Sequence, residues 1–247
     1  DRGYADFLPQ YEAVEENINV HSPLYFFDQD RETTLRNARH CWNLYADAGK
    51  LEQIMPLVAR AHEIEPILCR YWKPGLVARM AGLDPQLIAV SGQTDGRGFF
   101  QIQGNDERGR PYCAYFVEED GALKLDWEAT TGFCPIAFAD LENAALVEPA
   151  LLRVTVARAS YYSPAFPEDR YAAYRLTDSL DQGVLWGYVL RDSQVQQALD
   201  RVLGAADSLI AEESVARVTL KLQRQPGHKI KNQFLITEML HNDWVMP

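Results

Sequence analysis

The sequence predicts an α+β protein made of two units, and three observations support this fold class. Apolar residues recur at helical spacing between Arg31 and Trp72. Strand-like segments separated by turn residues follow from Pro85 onward. A second set of strand patterns, interrupted by one helical pattern, fills the chain after Leu151. We therefore expect N-terminal helices packed on a curved antiparallel sheet, followed by a small β-barrel with one helix.

The N-terminal part of the chain divides into an arm and three helices. Residues 1–30 contain acids, prolines and isolated aromatic side chains without a helical period, so we expect an extended arm or linker there. The first helix begins at Arg31 and ends before Gly49, because glycine favours a helix stop. Two more helical patterns cover residues 51–58 and 61–72.

Four strand patterns follow the helices: QLIAVSGQ, GFFQIQG, PYCAYFVEE and ALKLDWEA. The pair Asp120 and Gly121 is typical of a tight turn, so the last two strands should form a hairpin. In the last strand, strict alternation separates an apolar face (Leu123, Leu125 and Trp127) from a charged one (Lys124, Asp126 and Glu128). We therefore expect Asp126 and Glu128 to be solvated or to cap a loop rather than to catalyse a reaction. Helices and sheet together predict a cone-like domain over residues 31–139.

The second unit is predicted over residues 150–247, with a hydrophobic core of its own. Three strand patterns, LLRVTVARASYY, RYAAYRLTD and GVLWGYVLR, precede the helical segment SQVQQALDRVLG. That segment has Ser193 as a plausible N-cap and Gly204 as a stop. The strands VARVTLKL and QFLITEML complete the unit. Three strands, a helix and two strands are the element order of a five-stranded OB-like barrel.

Composition narrows the function classes. The chain has 247 residues, 47% of them hydrophobic and 24% charged, with a net charge of −11. This acidity disfavours nucleic acid and anionic lipid as partners. No apolar run is long enough to span a membrane, and because the first residue is Asp1 rather than methionine, there is room for a signal or an anchor upstream. We interpret the four scattered cysteines as buried apolar residues, with disulfides or metal ligation as alternatives: Cys41, Cys69, Cys113 and Cys134.

Common catalytic motifs are absent from the sequence. It contains no G-x-S-x-G element, no phosphate-binding loop and no G-x-G-x-x-G fingerprint. The H-E-x-E run at His62 resembles half of a zinc-protease motif, but Pro66 stands where the second histidine is needed. The five histidines show no spacing typical of metal ligands. We therefore predict no catalytic residue, no metal and no cofactor.

A basic cluster near the C terminus is the main candidate for a binding site: Lys221, Arg224, His228, Lys229 and Lys231. In an OB-like barrel it would lie in the loop between the fourth and fifth strands, which is a usual ligand rim. Tyr161 and Tyr162 could add stacking surfaces. A protein or glycan contact and a plain solvated loop both fit this cluster, whereas the acidic chain disfavours nucleic acid.

The helical run from ETTLRNARHCWNLY to EPILCRYW, followed by EEDGALKLDWEA, resembles the nuclear-transport-factor-2-like group, which includes ketosteroid isomerase and the SnoaL-like cyclases. The resemblance implies a cone with an internal pocket, for which our candidate residues are aromatic: Tyr71, Trp72, Tyr112 and Trp127. The whole chain is also similar to bacterial envelope proteins in which an anchor precedes such a domain and a β-rich one. This implies an extracytoplasmic location, with the cytoplasm as the alternative.

Taken together, these features predict a non-catalytic binding or scaffolding protein of the bacterial envelope, with an unknown protein or glycan partner. Two alternatives stay open. One is an isomerase or cyclase that uses the cone pocket, and the other is binding of single-stranded nucleic acid or glycan by the barrel.

Overall fold

A computed structural model describes residues 20–82, 84–144, 146, 148–178, 183–205, 214–225, 227 and 230–246. Within them the protein is α+β, with six α-helices and two sheets of four and five strands. The helices are Tyr25–Asp28 (α1), Arg31–Asp47 (α2), Leu51–Ile54 (α3), Ala61–Tyr71 (α4), Trp127–Thr131 (α5) and Gln194–Ala205 (α6). The first sheet contains Ile88–Thr94 (β1), Arg97–Asn105 (β2), Pro111–Glu119 (β3) and Ala122–Leu125 (β4). The second contains Ala150–Ala159 (β5), Tyr171–Thr177 (β6), Val184–Leu190 (β7), Val215–Gln223 (β8) and Gln233–His241 (β9).

Helix α2 is the central helix of the N-terminal part. The Asp30 carboxylate accepts a hydrogen bond from the Thr33 amide at 3.0 Å and so caps the first turn. Four apolar side chains on one face of α2 are buried: Ala38, Cys41, Trp42 and Tyr45. Helical periodicity predicts this face, because side chains three and four residues apart lie above one another.

The four strands β1 to β4 form an antiparallel meander in chain order. Since side chains alternate across a strand, one face of this sheet carries Phe100, Ile102, Ala114 and Phe116, all fully buried. These residues share a core with the buried side chains of α2 and α4. The helices therefore cover one face of the sheet.

The hairpin partner β4 is shorter than its sequence pattern predicts. The strand ends at Leu125, and Asp126 is the N-cap of α5, where its carboxylate accepts from the Ala129 amide at 3.0 Å. The expectation that Asp126 and Glu128 lie on the polar face of a strand is therefore wrong. Asp126 is only 2% exposed. Trp127 is buried as predicted, but it belongs to a helix.

The described part of the segment before α2, residues 20–30, consists of turns and one helical turn, so the expectation of an extended arm is wrong there. Residues 1–19 of the predicted arm lie outside the described residues. The remainder includes the helical turn α1, whose Phe27 is buried and stacks on Phe100 at a centroid distance of 6.4 Å. Phe27 ends the aromatic run Tyr25-Phe26-Phe27, which shows no helical period, so its burial depends on the sheet and could not be predicted from a local pattern.

The five C-terminal strands close into a barrel in the order β5-β6-β7-β9-β8. All neighbouring strands are antiparallel except β7 and β9, which are parallel. Leu199 and Leu203 of α6 are fully buried against the barrel core. This core is separate from the one beneath the helices, and it includes Leu152, Val154, Val156, Val218 and Leu220.

A third apolar cluster joins the two sheets. It combines Phe99, Tyr115 and Val117, from the face of the first sheet opposite the helices, with Trp244 and Val245 beyond β9. The C-terminal segment therefore lies between the sheet and the barrel. The domain boundaries at 31–139 and 150–247 stay a prediction. Within the described part of the chain, none of the helices is long and apolar enough to cross a membrane.

We expect Gly98→Ala to lower the free energy of unfolding by about 1 to 3 kcal/mol, the usual cost of overpacking a core position. A Cβ atom at residue 98 would lie far inside van der Waals contact with the Pro23 carbonyl oxygen, which is backbone and cannot rotate away. Urea denaturation checks this result. The matched control is Gly82→Ala, where no atom lies within 4 Å of the added Cβ. Equal stability of the two variants would contradict the packing.

Candidate functional site

An open groove of about 610 Å³ runs beside α2, between that helix and the β3–β4 turn. We call it the α2 groove. Thr33, Asn37 and His40 line it from α2, and the opposite wall is formed by residues 56–57 and 121–124. Its lining combines these polar groups with apolar side chains: Phe26, Cys41, Leu44, Leu57 and Leu123. Leu44 is 44% exposed, although it belongs to a well-packed helix.

The charged groups of the α2 groove are occupied by structural contacts. Asp30 holds the N-cap of α2, and its hydrogen bonds to Thr33 lower the pKa of the carboxyl group. The Lys124 ammonium group donates to the Pro56 carbonyl oxygen. The groove therefore offers a polar rim and an apolar floor to a ligand, without a carboxylate pair arranged for acid–base chemistry.

Asp126 and Glu128, on either side of Trp127 in the sequence, belong to a buried charge cluster. Glu128 forms an ion pair with Arg60 at 2.7 Å and lies 3.8 Å from the Arg153 guanidinium group. The Arg153 side chain is only 2% exposed. Arg153 also donates to the carbonyl oxygens of Phe133 and Trp244, at 2.5 and 2.9 Å. These contacts join α5, the connecting segment, strand β5 and the C-terminal segment.

Asp126 is buried within the same region. Burial raises the pKa of its carboxyl group, an effect opposed by the Ala129 amide and by the charges of Arg60 and Arg153. One oxygen caps α5, while the other has no hydrogen-bond partner among the described residues. A raised carboxyl pKa is a feature of many catalytic acids. However, Asp126 is not among the residues that line the α2 groove.

Three of the four pocket candidates from the cone resemblance are packing residues. Trp127 is 4% exposed and donates to the Tyr45 hydroxyl at 3.0 Å. Tyr112 stacks on Trp42 at 5.1 Å, and burial raises the pKa of Tyr112 to about 12. Trp72 packs against the same core.

The fourth pocket candidate, Tyr71, is 42% exposed and lies against Phe133 at 5.3 Å. It lines a cavity of about 240 Å³ near Arg153, and not the α2 groove. The four candidates therefore do not converge on one pocket.

The described members of the basic cluster contact the protein itself. The Arg224 guanidinium group donates to five backbone carbonyl oxygens: those of Leu141, Glu142, Ala144, Ile230 and Lys231. Lys221 pairs with Glu238 at 2.7 Å, and Lys231 donates to the Asn143 side chain at 3.0 Å. His228 and Lys229 lie outside the described residues. Arg224 thus anchors the segment between the two sheets to the barrel.

The predicted tyrosines lie over the outer surface of the barrel. The Tyr161 ring is 43% exposed, and its centroid lies 4.7 Å from that of Trp186 on β7. Tyr162 packs against a small cluster that contains Phe166 and Tyr188. The sequence indicates Tyr161 as a stacking residue but does not reveal its partner, because Trp186 belongs to a pattern typical of a buried strand.

A second polar network, which the sequence did not reveal, lies between the first sheet and the barrel. The Tyr115 hydroxyl donates to Asp243 at 2.6 Å, and Arg217 donates to the Cys113 sulfur at 3.1 Å. Burial raises the pKa of the Asp243 carboxyl group, although the Tyr115 hydrogen bond and Arg217 oppose this effect. Arg217 also lies over the Trp244 ring, 5.1 Å from its centroid. The network holds the C-terminal segment against the sheet.

Neither a metal centre nor a family assignment emerges. Among the described residues, no group of three or more histidine, cysteine, aspartate or glutamate side chains could hold a metal ion. All four cysteines are free; Cys41 is buried, Cys113 and Cys134 are half-buried, and the interpretation as a buried residue is wrong for Cys69, which is exposed. A scan against protein-family models finds no match, and a search of the curated proteins finds no similar protein.

We expect Asp243→Asn to change how stability depends on pH. Because the folded pKa of Asp243 lies above the ordinary value of 3.8, the folded protein binds this proton more tightly than the unfolded chain does. The contribution of Asp243 is therefore greatest below pH 3.8 and is lost as pH rises through the folded pKa. Asparagine cannot ionise, so the variant should gain stability relative to wild type as pH rises.

Urea midpoints of wild type and the variants from pH 2 to pH 8 test this expectation. Asp84→Asn is a control of opposite sign, because the Asn105 and Gln86 amides lower the pKa of Asp84. Its stability should fall relative to wild type as pH rises to about pH 5, and the difference should be constant at higher pH. A pH-independent difference between Asp243→Asn and wild type would show that the carboxyl group is not perturbed as described.

We expect Glu128→Ala to lower the free energy of unfolding by about 2 to 3 kcal/mol. This is below the range for a fully buried pair, because the Arg60 side chain is 25% exposed. The exposed pair Lys221–Glu238 supplies the control, since Glu238→Ala should cost less than about 1 kcal/mol. Urea denaturation measures both variants. If they lost the same small amount, the ion pair between Glu128 and Arg60 would not stabilise the junction.

Proposed function

We propose that this protein is a non-catalytic binding protein of the bacterial envelope, and that the α2 groove is its ligand-binding surface. The observation that supports this most strongly is the combination of an open apolar floor, including the exposed Leu44, with a rim of polar groups such as the exposed Asn37. Ligand sites commonly combine an apolar lining with a few polar groups. The envelope location rests on the sequence resemblance alone.

The positions of the carboxyl groups support the non-catalytic part of the proposal, and His40 is the lining side chain that is able to transfer a proton. General acid–base catalysis needs a titratable group within reach of bound substrate, with a pKa near the working pH. The carboxyl groups with raised pKa values, Asp126 and Asp243, lie outside the α2 groove. The groove carboxylate Asp30 has a lowered pKa and caps a helix.

We extend the proposal to the architecture of the two sheets. Helices covering one face of a four-stranded antiparallel sheet fit a cone-like domain of the nuclear-transport-factor-2-like type. The strand order β5-β6-β7-β9-β8, with α6 between β7 and β8, fits an OB-like barrel. We propose these two architectures on the element order and on the sequence resemblance.

The dimensions of the groove favour an extended peptide segment as ligand. The distance along α2 from its N-cap Asp30 to Leu44 is about 21 Å, at roughly 1.5 Å per residue. An extended peptide of about six residues covers a similar length, at roughly 3.3 Å each. Alternate side chains of such a peptide would contact the apolar floor, while its backbone would meet Asn37 and His40 at the rim. We therefore propose a segment of a partner protein as the ligand.

Selection from a phage-displayed library of random peptides tests this function. We expect enriched peptides whose affinity falls at least tenfold for Leu44→Arg, which places a long charged side chain on the groove floor. The matched control is Leu76→Arg, since Leu76 is 54% exposed and does not line the groove. Failure to enrich any peptide, or equal binding to both variants, would contradict the proposal.

A second candidate function is glycan binding by the barrel, because the exposed Tyr161 ring lies against the half-buried Trp186. Aromatic rings offer a large apolar surface with a polar tip, which suits the mixed faces of a sugar. Titration calorimetry with soluble peptidoglycan fragments would detect such binding. Heat signals that disappear in Tyr161→Ala, but persist in Leu44→Arg, would favour the barrel over the α2 groove.

A further inference from the structure

The outer edge of β1 is free of a partner strand among the described residues. Strands β1 and β2 are joined by the two-residue turn Asp95-Gly96, in which both residues have positive φ, 44° and 86°. The pair that closes such a turn, Thr94 and Arg97, exchanges backbone hydrogen bonds. Hydrogen-bonded pairs then recur at every second residue along the hairpin.

This alternation determines which backbone groups of β1 point outward. Those of Ile88, Val90 and Gly92 face β2, so those of Ala89, Ser91 and Gln93 face away from the sheet. The Arg31 guanidinium group donates to the Ala89 carbonyl oxygen, as expected for an outward-facing group. The remaining amides and carbonyls of the three outward residues have no backbone partner among the described residues. They form a template for an added strand.

The opposite edge of the same sheet is protected. Strand β4 has four residues, one of which is Lys124. Val58 forms a bridge with Leu125, and the Ala59 amide donates to the Leu125 carbonyl oxygen. Short length, charge and a covering segment are the usual ways in which proteins prevent pairing at an edge. Strand β1 is longer, with seven residues, and has no charged residue, proline or bulge.

The side chains of β1 add an apolar surface to this free edge. Ile88 is 55% exposed and Val90 is 38% exposed, and both project from the face of the sheet opposite the helices. A strand added to β1 would place its own alternate side chains beside these two residues. The edge therefore provides both backbone hydrogen bonds and apolar contacts.

The charges around the edge indicate the chemistry of the occupant. Asp28 accepts from the Ser91 hydroxyl at 2.5 Å, and the Asp95 side chain in the turn is 60% exposed and lies 2.5 Å from the His241 ring nitrogen. Asp84 lies near the other end of the hairpin, where its carboxylate accepts from the Asn105 amide. Arg31 donates to the neutral Ala89 carbonyl oxygen and keeps its positive charge, so it is outnumbered by these three acids along the edge. A second copy of this chain would bring the same acids and a further net charge of −11, which opposes self-pairing.

We propose that the β1 edge binds an extended segment of a partner protein, with apolar residues at alternate positions and basic residues at its ends, by adding it as a fifth strand. This mode obtains affinity from main-chain hydrogen bonds and specificity from alternate side chains. The proposal goes beyond the α2 groove, because it concerns a different surface of the protein.

The test uses fluorescence anisotropy with a labelled synthetic peptide of alternating valine and threonine, flanked by lysines. We expect saturable binding to the full chain. A peptide of the same sequence, N-methylated at alternate residues, should bind at least tenfold more weakly, because it cannot donate to the strand edge. A version flanked by glutamates should also bind more weakly, owing to repulsion by the acidic surroundings.

Two protein variants give a matched pair. Ser91→Pro removes an outward-facing amide, which an edge strand tolerates, and should weaken binding at least tenfold. Ser91→Ala also loses the hydroxyl contact with Asp28 but keeps the amide, so its affinity should stay within twofold of wild type. Leu44→Arg should leave binding unchanged, which separates this surface from the α2 groove. Thermal unfolding verifies that each variant is folded. If Ser91→Pro does not fold, the comparison of the unmodified and N-methylated peptides on wild type tests the proposal.

Three results would overturn the proposal. The first is equal affinity for the N-methylated and unmodified peptides. The second is no detectable binding at 1 mM peptide, since a Kd of 1 mM corresponds to a binding free energy of only about 4 kcal/mol. The third is a concentration-dependent dimer of wild type that is lost in Ser91→Pro. That result would assign the edge to a second copy of this chain.

Discussion

The arrangement of the two sheets depends on the contacts of the buried Arg153 guanidinium group. It projects from β5 of the barrel and contacts Glu128, the Phe133 carbonyl oxygen and the Trp244 carbonyl oxygen. A buried charge is tolerated only when ionic and hydrogen-bond partners replace the water that it has lost. Because its partners come from three separate segments, Arg153 fixes where α5, the connecting segment and the C-terminal segment meet.

Helix α2 connects this framework to both proposed binding surfaces. Its first residue, Arg31, contacts the β1 edge, while its exposed side lines the α2 groove as far as Leu44. The opposite side of the helix is buried against the sheet through Trp42 and Tyr45. Its buried side therefore fixes the position of its exposed side. The polar contacts of Asp243 and Arg217 hold the C-terminal segment on the other face of the sheet, away from the α2 groove.

Local patterns predicted much of this fold, and long-range contacts explain what they missed. The buried face of α2 and the alternation of β8 follow from periodicity within a single element. Strand alternation did not reveal that β4 ends at Leu125, although Asp126 and the left-handed Gly132 are typical of a helix N-cap and C-cap. Arg153 occupies an outward position of β5, which the pattern assigns to solvent. Its burial depends on Trp244, which is 91 residues away in sequence.

The candidate binding surfaces were harder to predict than the fold. The basic cluster was visible in the sequence, yet Arg224 is occupied by backbone carbonyls that lie about 80 residues away. The α2 groove and the β1 edge depend on which surfaces remain uncovered after packing, and no local pattern records this. Differential scanning calorimetry of Arg153→Met tests the central claim, because methionine keeps the apolar stem but removes the charge. We predict a single two-state transition for wild type and two separate transitions for the variant; a single transition with an unchanged Tm in Arg153→Met would contradict the account.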